Sequence, residues 1–134
     1  MRWPDLFVAV YDACNASTML TAIFGTSITD VEERDFKAPT LRLDILTNIE
    51  TENYEPTIIQ FDVWTRSKQD QIIAEEELRR LFHRDTPYIL QGVGTWSRYE
   101  GRTRLEGPQD GILGVAVDYR FEPLRSRYIP TANS

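Results

Sequence analysis

Few residues in this sequence have the type and spacing that chemistry requires. His83-Arg84-Asp85 has the order of a kinase catalytic triplet, in which the aspartate takes the proton of a substrate hydroxyl. The metal-binding asparagine of that arrangement should then fall at position 90, which is Leu90, and no glycine-rich loop precedes the triplet to cover phosphates. A single histidine excludes a multi-histidine metal site, and Cys14, the single cysteine, offers no second thiolate. Glu75-Glu76-Glu77 has the composition of an acidic cage but reads as a solvated helix face. Gly92-Val93-Gly94 is too short for a phosphate loop and suits a bulge or close strand packing. Ser67 has no base placed near it by sequence and serves better as a helix cap. Trp3, Trp64 and Trp96 fit a core or an interface better than a ligand-stacking site. The expectation is a protein without catalysis, cofactor or metal.

The elements that position these residues are organised around one strand and the helix behind it. Over Thr57–Thr65, Ile59, Phe61 and Val63 alternate with Gln60 and Asp62, the period of a strand with one buried face. Ser67 followed by Asp70 predicts a helix start, and Ala74, Leu78, Leu81 and Phe82 recur at helical spacing with Ile73 beside them. Glu75/Arg79 and Glu76/Arg80 are then expected as exposed i,i+4 pairs, each contributing only about 0.2–0.5 kcal/mol. A strand and helix with facing apolar surfaces form a two-layer unit.

The flanking segments complete it. Trp3-Pro4-Asp5 begins a helix with the stripe Leu6, Val10, Ala13 and Cys14, broadened by Phe7 and Tyr11. Met19, Leu20, Ile23 and Phe24 add a short helical turn closed by Gly25. Short strand character runs from Ser27 to Arg34, and a clearer strand from Thr40 to Glu50, paired as a hairpin with the organising strand across a loop from Glu50 to Pro56. Val93–Arg104 and Ile112–Glu122 read as two further strands around a turn cluster at Leu105–Gly111. The chain from about residue 123 has no periodicity and reads as an irregular tail. The predicted fold is a single α+β domain over residues 1–134: a largely antiparallel sheet of four to five strands, two helices on one face, in the order α-β-β-β-α-β-β. The other face would be only half polar, with Leu46, Trp64, Trp96 and Ala116 on it.

A chain of 134 residues fits one domain able to fold without a disulfide or metal, and a lone cysteine fits a reducing compartment. Acids at Asp5 and Asp12 are unlike a signal peptide, and no apolar run approaches a membrane span, so a soluble cytoplasmic product is expected. The net charge of −6 argues against general nucleic-acid binding. The charge is uneven: from residue 98 onward six arginines face five acids, a balance of +1, which leaves −7 on residues 1–97. Arg98, Arg102 and Arg104 alternate in step with Glu100 and Glu106, so on an unbroken strand all five would share one charged face. Such a face cannot enter a core and should meet water or a complementary surface. The candidate contact residues are therefore Arg98, Arg102 and Arg104, the loop residues Glu50, Glu52 and Tyr54, and the half-apolar face at Trp64 and Trp96.

Three segments in fixed order resemble the tail terminator, or tail completion, proteins of long-tailed (siphovirus-like) phages. They are the N-terminal helix with Ala16–Ile28, then Ala38-Pro39-Thr40-Leu41-Arg42-Leu43 with Ile59–Thr65 and the helix behind it, and last Asp110–Val117. The resemblance covers nearly the whole chain and rests on hydrophobic positions. It implies a ring, usually a hexamer, that caps the finished tail tube, stops its polymerisation and offers its other side to the head connector, with no enzymatic activity and no cofactor. Its partners would be further copies of itself, the tail tube protein and the head-completion protein, with DNA passing through the ring unbound, no membrane, and a virion location at the tail end of the neck. The family's central loops vary, and the arginine-rich hairpin has no counterpart in it. Two other readings stand beside this one: a head-closure or neck protein of the same particle, and a small-ligand-binding α+β module, for which few polar groups converge.

Overall fold

The computed structural model describes residues 3–30, 38–46, 57–107 and 110–124. Its elements are α1 (Trp3–Ala16), α2 (Thr18–Phe24), β1 (Ile28–Thr29), β2 (Thr40–Ile45), β3 (Thr57–Thr65), α3 (Lys68–Phe82), β4 (Tyr88–Leu90), β5 (Val93–Glu106) and β6 (Leu113–Pro123). The organising unit forms where the alternation places it. Along β3, Ile59, Phe61 and Val63 are buried while Ile58, Gln60, Asp62 and Trp64 are half-buried. Ser67 caps α3, its Oγ accepting from the Asp70 N–H at 3.1 Å. Asp70 lies at the positive end of the helix dipole, and Arg79 and Arg80 at the negative end.

Several expectations are corrected. The described residues form three helices, because Ser17 starts a separate α2: its Oγ accepts from the Leu20 N–H, and the chain turns 79° between α1 and α2. Among the described residues the sheet has six strands, in the order β1-β2-β3-β6-β5-β4. Of the strand expected over Ser27–Arg34, Ile28–Thr29 forms, pairing parallel to β2, and residues 31–34 lie outside the described set. The strand expected over Thr40–Glu50 is β2 over Thr40–Ile45, with residues 47–50 outside the described set. Strand β4 was not expected, since three residues are too few to display an alternation. The pairings β2–β3, β3–β6, β6–β5 and β5–β4 are antiparallel.

All three helices pack on one face of the sheet. The core joins Leu6, Val10, Ala13 and Cys14 of α1, Leu20 and Phe24 of α2 and Ala74, Leu78 and Phe82 of α3 to Leu41, Leu43, Ile59, Phe61, Val63, Val115, Val117, Tyr119 and Phe121 of the sheet. Phe82 sits at the middle of an aromatic cluster, stacked on Phe61 with ring centroids 5.4 Å apart and edge-on to Phe121 at 5.3 Å. Burying each such side chain stabilises the fold by roughly 1.5–3 kcal/mol before entropy is counted. Cys14 is fully buried, and burial pushes its thiol far above the ordinary cysteine range, so it packs as a small hydrophobe. No single helix among the described residues is long and apolar enough to cross a membrane.

Candidate interaction surfaces

The charged strand β5 does not present one face. The register runs Arg98 opposite Arg120 and Tyr99 opposite Tyr119, then resumes with Gly101 opposite Asp118 and Arg102 opposite Val117. Glu100 is thus an extra residue, a β-bulge, and it reverses the alternation beyond it. Residues directly opposite each other on neighbouring strands share a face. Arg98 therefore lies with Arg120 on the face without helices, whereas Arg102 and Arg104, opposite Val117 and Val115, lie on the helix side. The expectation that Arg98, Arg102 and Arg104 line up with Glu100 and Glu106 fails at this bulge. The sequence carries a signal for it in Gly101, a glycine inside a strand pattern.

On the helix side Arg102 reaches α3. Its Nε donates to Glu75 Oε1 at 2.6 Å and its Nη2 to Oε2 at 3.3 Å. That fork takes Glu75 away from Arg79, whose guanidinium instead lies 4.3 Å from the centre of the Tyr99 ring. Arg104 pairs with no acid among the described residues. It projects beside Lys68 and Gln71 into an open cleft of about 910 Å³ between the start of α3 and the turn that joins β5 to β6.

The opposite face of the sheet has no helix over it. Trp64 and Trp96 lie there as expected, with Arg42, Asp44, Ile58, Gln60, Asp62, Arg98, Ala116, Asp118, Arg120 and Glu122. Trp64 is directly opposite Gly114, and its indole lies flat on that glycine: a Cβ there would be 2.4 Å from Cζ3. Gly114 and Ala116 are buried despite being on the uncovered side. Arg42 pairs with Asp62 at 3.3 Å and with Asp44 at 3.8 Å, and Arg120 pairs with Glu122 at 3.5 Å and Glu100 at 3.7 Å. Arg98 lies over the Trp96 ring at 5.6 Å, beside a 320 Å³ hollow lined also by Glu100, Arg120 and Glu122. Burial raises the Asp62 carboxyl above its ordinary range against the pull of Arg42, and burial with the nearby Glu100 charge raises Asp118. Oδ1 of Asp62, Oδ1 of Asp118 and Nε of Arg42 are buried with no hydrogen-bond partner among the described residues. These atoms carry the desolvation cost of an interior without its compensation.

The acidic run on α3 divides three ways. Glu75 binds Arg102, Glu76 is exposed, and Glu77 is 3% exposed. The Ser17 hydroxyl donates to Glu77 Oε2 at 2.5 Å, and Arg80 closes over the same carboxylate through Nε at 2.6 Å and Nη2 at 2.8 Å. Arg80, with Glu77 ahead of the expected Glu76 as partner, lowers the Glu77 carboxyl below its ordinary range, and the Ser17 bond adds to this. Ser17 so caps α2 and ties it to α3. Sequence reasoning missed this pair, although Glu77 stands three residues after Ala74 and four before Leu81, within the apolar stripe.

The remaining candidates have structural uses. His83 Nδ1 accepts from the Tyr99 N–H at 3.1 Å and the Arg84 N–H donates to the Ser97 carbonyl at 3.2 Å, so the triplet straps the end of α3 to β5. Among the described residues no group of three His, Cys, Asp or Glu side chains is placed to hold a metal. Glu50, Glu52 and Tyr54 lie outside the described residues.

No family model matches the sequence, and no curated protein does. Solved structures do share the fold. One is a chain of the virion of a native gene transfer agent particle, with a TM-score of 0.57 and 14% identity over 87% of this chain and 92% of that one. A second solved chain matches with a TM-score of 0.58 and 13% identity over 93% of this chain and 97% of the other. At that identity the likeness is one of fold: the same arrangement of helices and sheet, over nearly the full length of both chains.

Proposed function

We propose that this chain is a structural subunit of a phage-like particle, and that several copies form a ring capping the tail tube where tail and head join. The observation that carries this reading is the fold shared, over most of both chains, with a chain from a gene transfer agent virion. The sequence segments that resemble tail terminators point the same way. Charged groups spread over an uncovered sheet face support a role in binding.

A ring needs two different complementary surfaces on each subunit, and this molecule has unlike ones. Its uncovered sheet face holds Asp44, Asp62, Glu100, Asp118 and Glu122 against Arg42, Arg98 and Arg120. A ring built from a protein of net charge −6 would be acidic overall, repelling DNA phosphates and letting the duplex slide through it. A neck position in the same particle is the second reading, because the shared fold favours neither position. Tails produced without heads separate the two: a terminator is present on them as a multi-copy ring, and a neck protein is absent.

A further inference from the structure

Among the described residues the outer edge of β5 is open where Arg102 and Arg104 stand. Strand β4 covers only Val93–Thr95, and the chain at His83 and Arg84 covers Ser97 and Tyr99. The Ser97 carbonyl and the Tyr99 N–H therefore point away from β6. Tyr119, opposite Tyr99, must then direct its backbone groups toward β3, as must Val117 and Val115 two and four residues along. It follows that Arg102 and Arg104, opposite Val117 and Val115, turn their N–H and C=O groups outward. From Gly101 to Glu106, β6 is the only strand neighbour among the described residues. An open edge of this kind is a template for strand addition.

We propose that this edge receives the acidic segment 47–56 of a second copy of the chain, added as a strand with its glutamates against Arg104 and Arg102. This deepens the ring reading and rests on it. Charge selects the occupant: residues 47–56 contain Glu50, Glu52 and Glu55 and no Lys or Arg. Spacing supports it, since Glu50 and Glu52 are two apart, as Arg102 and Arg104 are, and the cross-strand pairs would lie on one face. The cleft beside Arg104 and Lys68 gives the carboxylates room on the helix side.

The fold requires that the segment come from another copy. It leaves β2 after Leu46 and enters β3 at Thr57, level with Phe121 and Ser97, whereas Arg104 is level with Val115 and Val63 at the opposite end. That is about 20 Å along the strands and about 10 Å across two strand spacings. Glu52 is six residues from Leu46, about 20 Å of fully extended chain, which leaves nothing to run along the edge. Donor and acceptor surfaces at opposite ends of one subunit are what a head-to-tail ring uses.

The test measures self-association of the full chain by native mass spectrometry, and its presence as a ring at the ends of purified tails. Arg104→Glu and Glu52→Arg should each weaken association about tenfold or more, and the double variant should recover it. Arg104→Pro, which removes an outward N–H while leaving the β6 pairing intact, should block association without changing the circular dichroism spectrum. Association that persists through Arg104→Glu and Arg104→Pro overturns the edge contact and leaves the ring standing. Loss in both single variants without recovery in the double overturns the pairing with Glu52. A wild-type chain that associates neither in solution nor on tails overturns the contact and the ring together.

Discussion

The two faces of this sheet are built to different rules. On the helix-covered face every large side chain meets others: Phe61, Phe82, Tyr119 and Phe121 interlock, and the one buried carboxylate there, Glu77, is held by both Ser17 and Arg80. The uncovered face has Trp64 folded onto Gly114, two aspartates whose carboxyls are raised by burial, and buried atoms of Arg42, Asp62 and Asp118 without a hydrogen-bond partner among the described residues. The first face closes its apolar core within one chain, though two neutral hydroxyls there, those of Thr57 and Tyr119, lack a hydrogen-bond partner among the described residues. The second leaves atoms of charged groups unpaired, a larger cost that a neighbouring molecule would relieve.

Substitutions on the two faces should separate these rules. The largest effect is expected at Phe82, where truncation to Ala empties the centre of the aromatic cluster and should cost about 3–5 kcal/mol in chemical denaturation. A smaller loss, about 1–3 kcal/mol, is expected for Gly114→Ala, because the new methyl group must displace the Trp64 ring. Adding Trp64→Ala to that variant should return part of the loss, a coupling that independent sites would not show.

The sharpest contrast lies in the carboxylates. Glu77 has a lowered native pKa, so its contribution is fully present above the ordinary glutamate range and is lost as pH falls through the native value. Glu77→Gln should therefore destabilise the protein by about 1–2 kcal/mol at neutral pH and flatten its acid unfolding. Asp118 has a raised native pKa, so the folded state holds the proton longer and stability falls as pH rises between the ordinary and native values. Asp118→Asn should stabilise the isolated chain at neutral pH, by about 0.5 kcal/mol. Melting curves across about pH 3–8, which runs from the ordinary carboxylate range to well above it, read both signs. Equal signs for the two variants would erase the distinction between the faces.

Much of the covered face was legible in the sequence because period and burial coincide there. Ile59, Phe61 and Val63 alternate, Ser67 caps, and Ala74, Leu78 and Phe82 follow the helix spacing, so propensity, pattern and packing agree. What escaped was decided by single residues or by distant partners. Glu100 shifts the β5 register by one and sends Arg98 and Arg102 to opposite faces, which alternation alone cannot foresee. Glu77 looks like a solvated charge until Ser17, sixty residues earlier, is placed against it. Strand β4 is too short to show a period, and Ser17 splits what reads as one helix and a turn into two helices. The placement of some candidates was legible: Trp64 and Trp96 lie on the uncovered face as expected, whereas Arg102 is held by Glu75 on the other side and Arg104 pairs with no acid among the described residues.

The central claim is that this chain acts as one of several copies in a ring at the end of a tail tube. Reconstruction by electron microscopy of purified tails, with this protein labelled, tests it most directly. The account predicts density for several copies related by rotation about the tube axis, on tails of wild-type length. A single copy at the tube end, or tails that lack the protein while intact particles carry it at the head side, would contradict it.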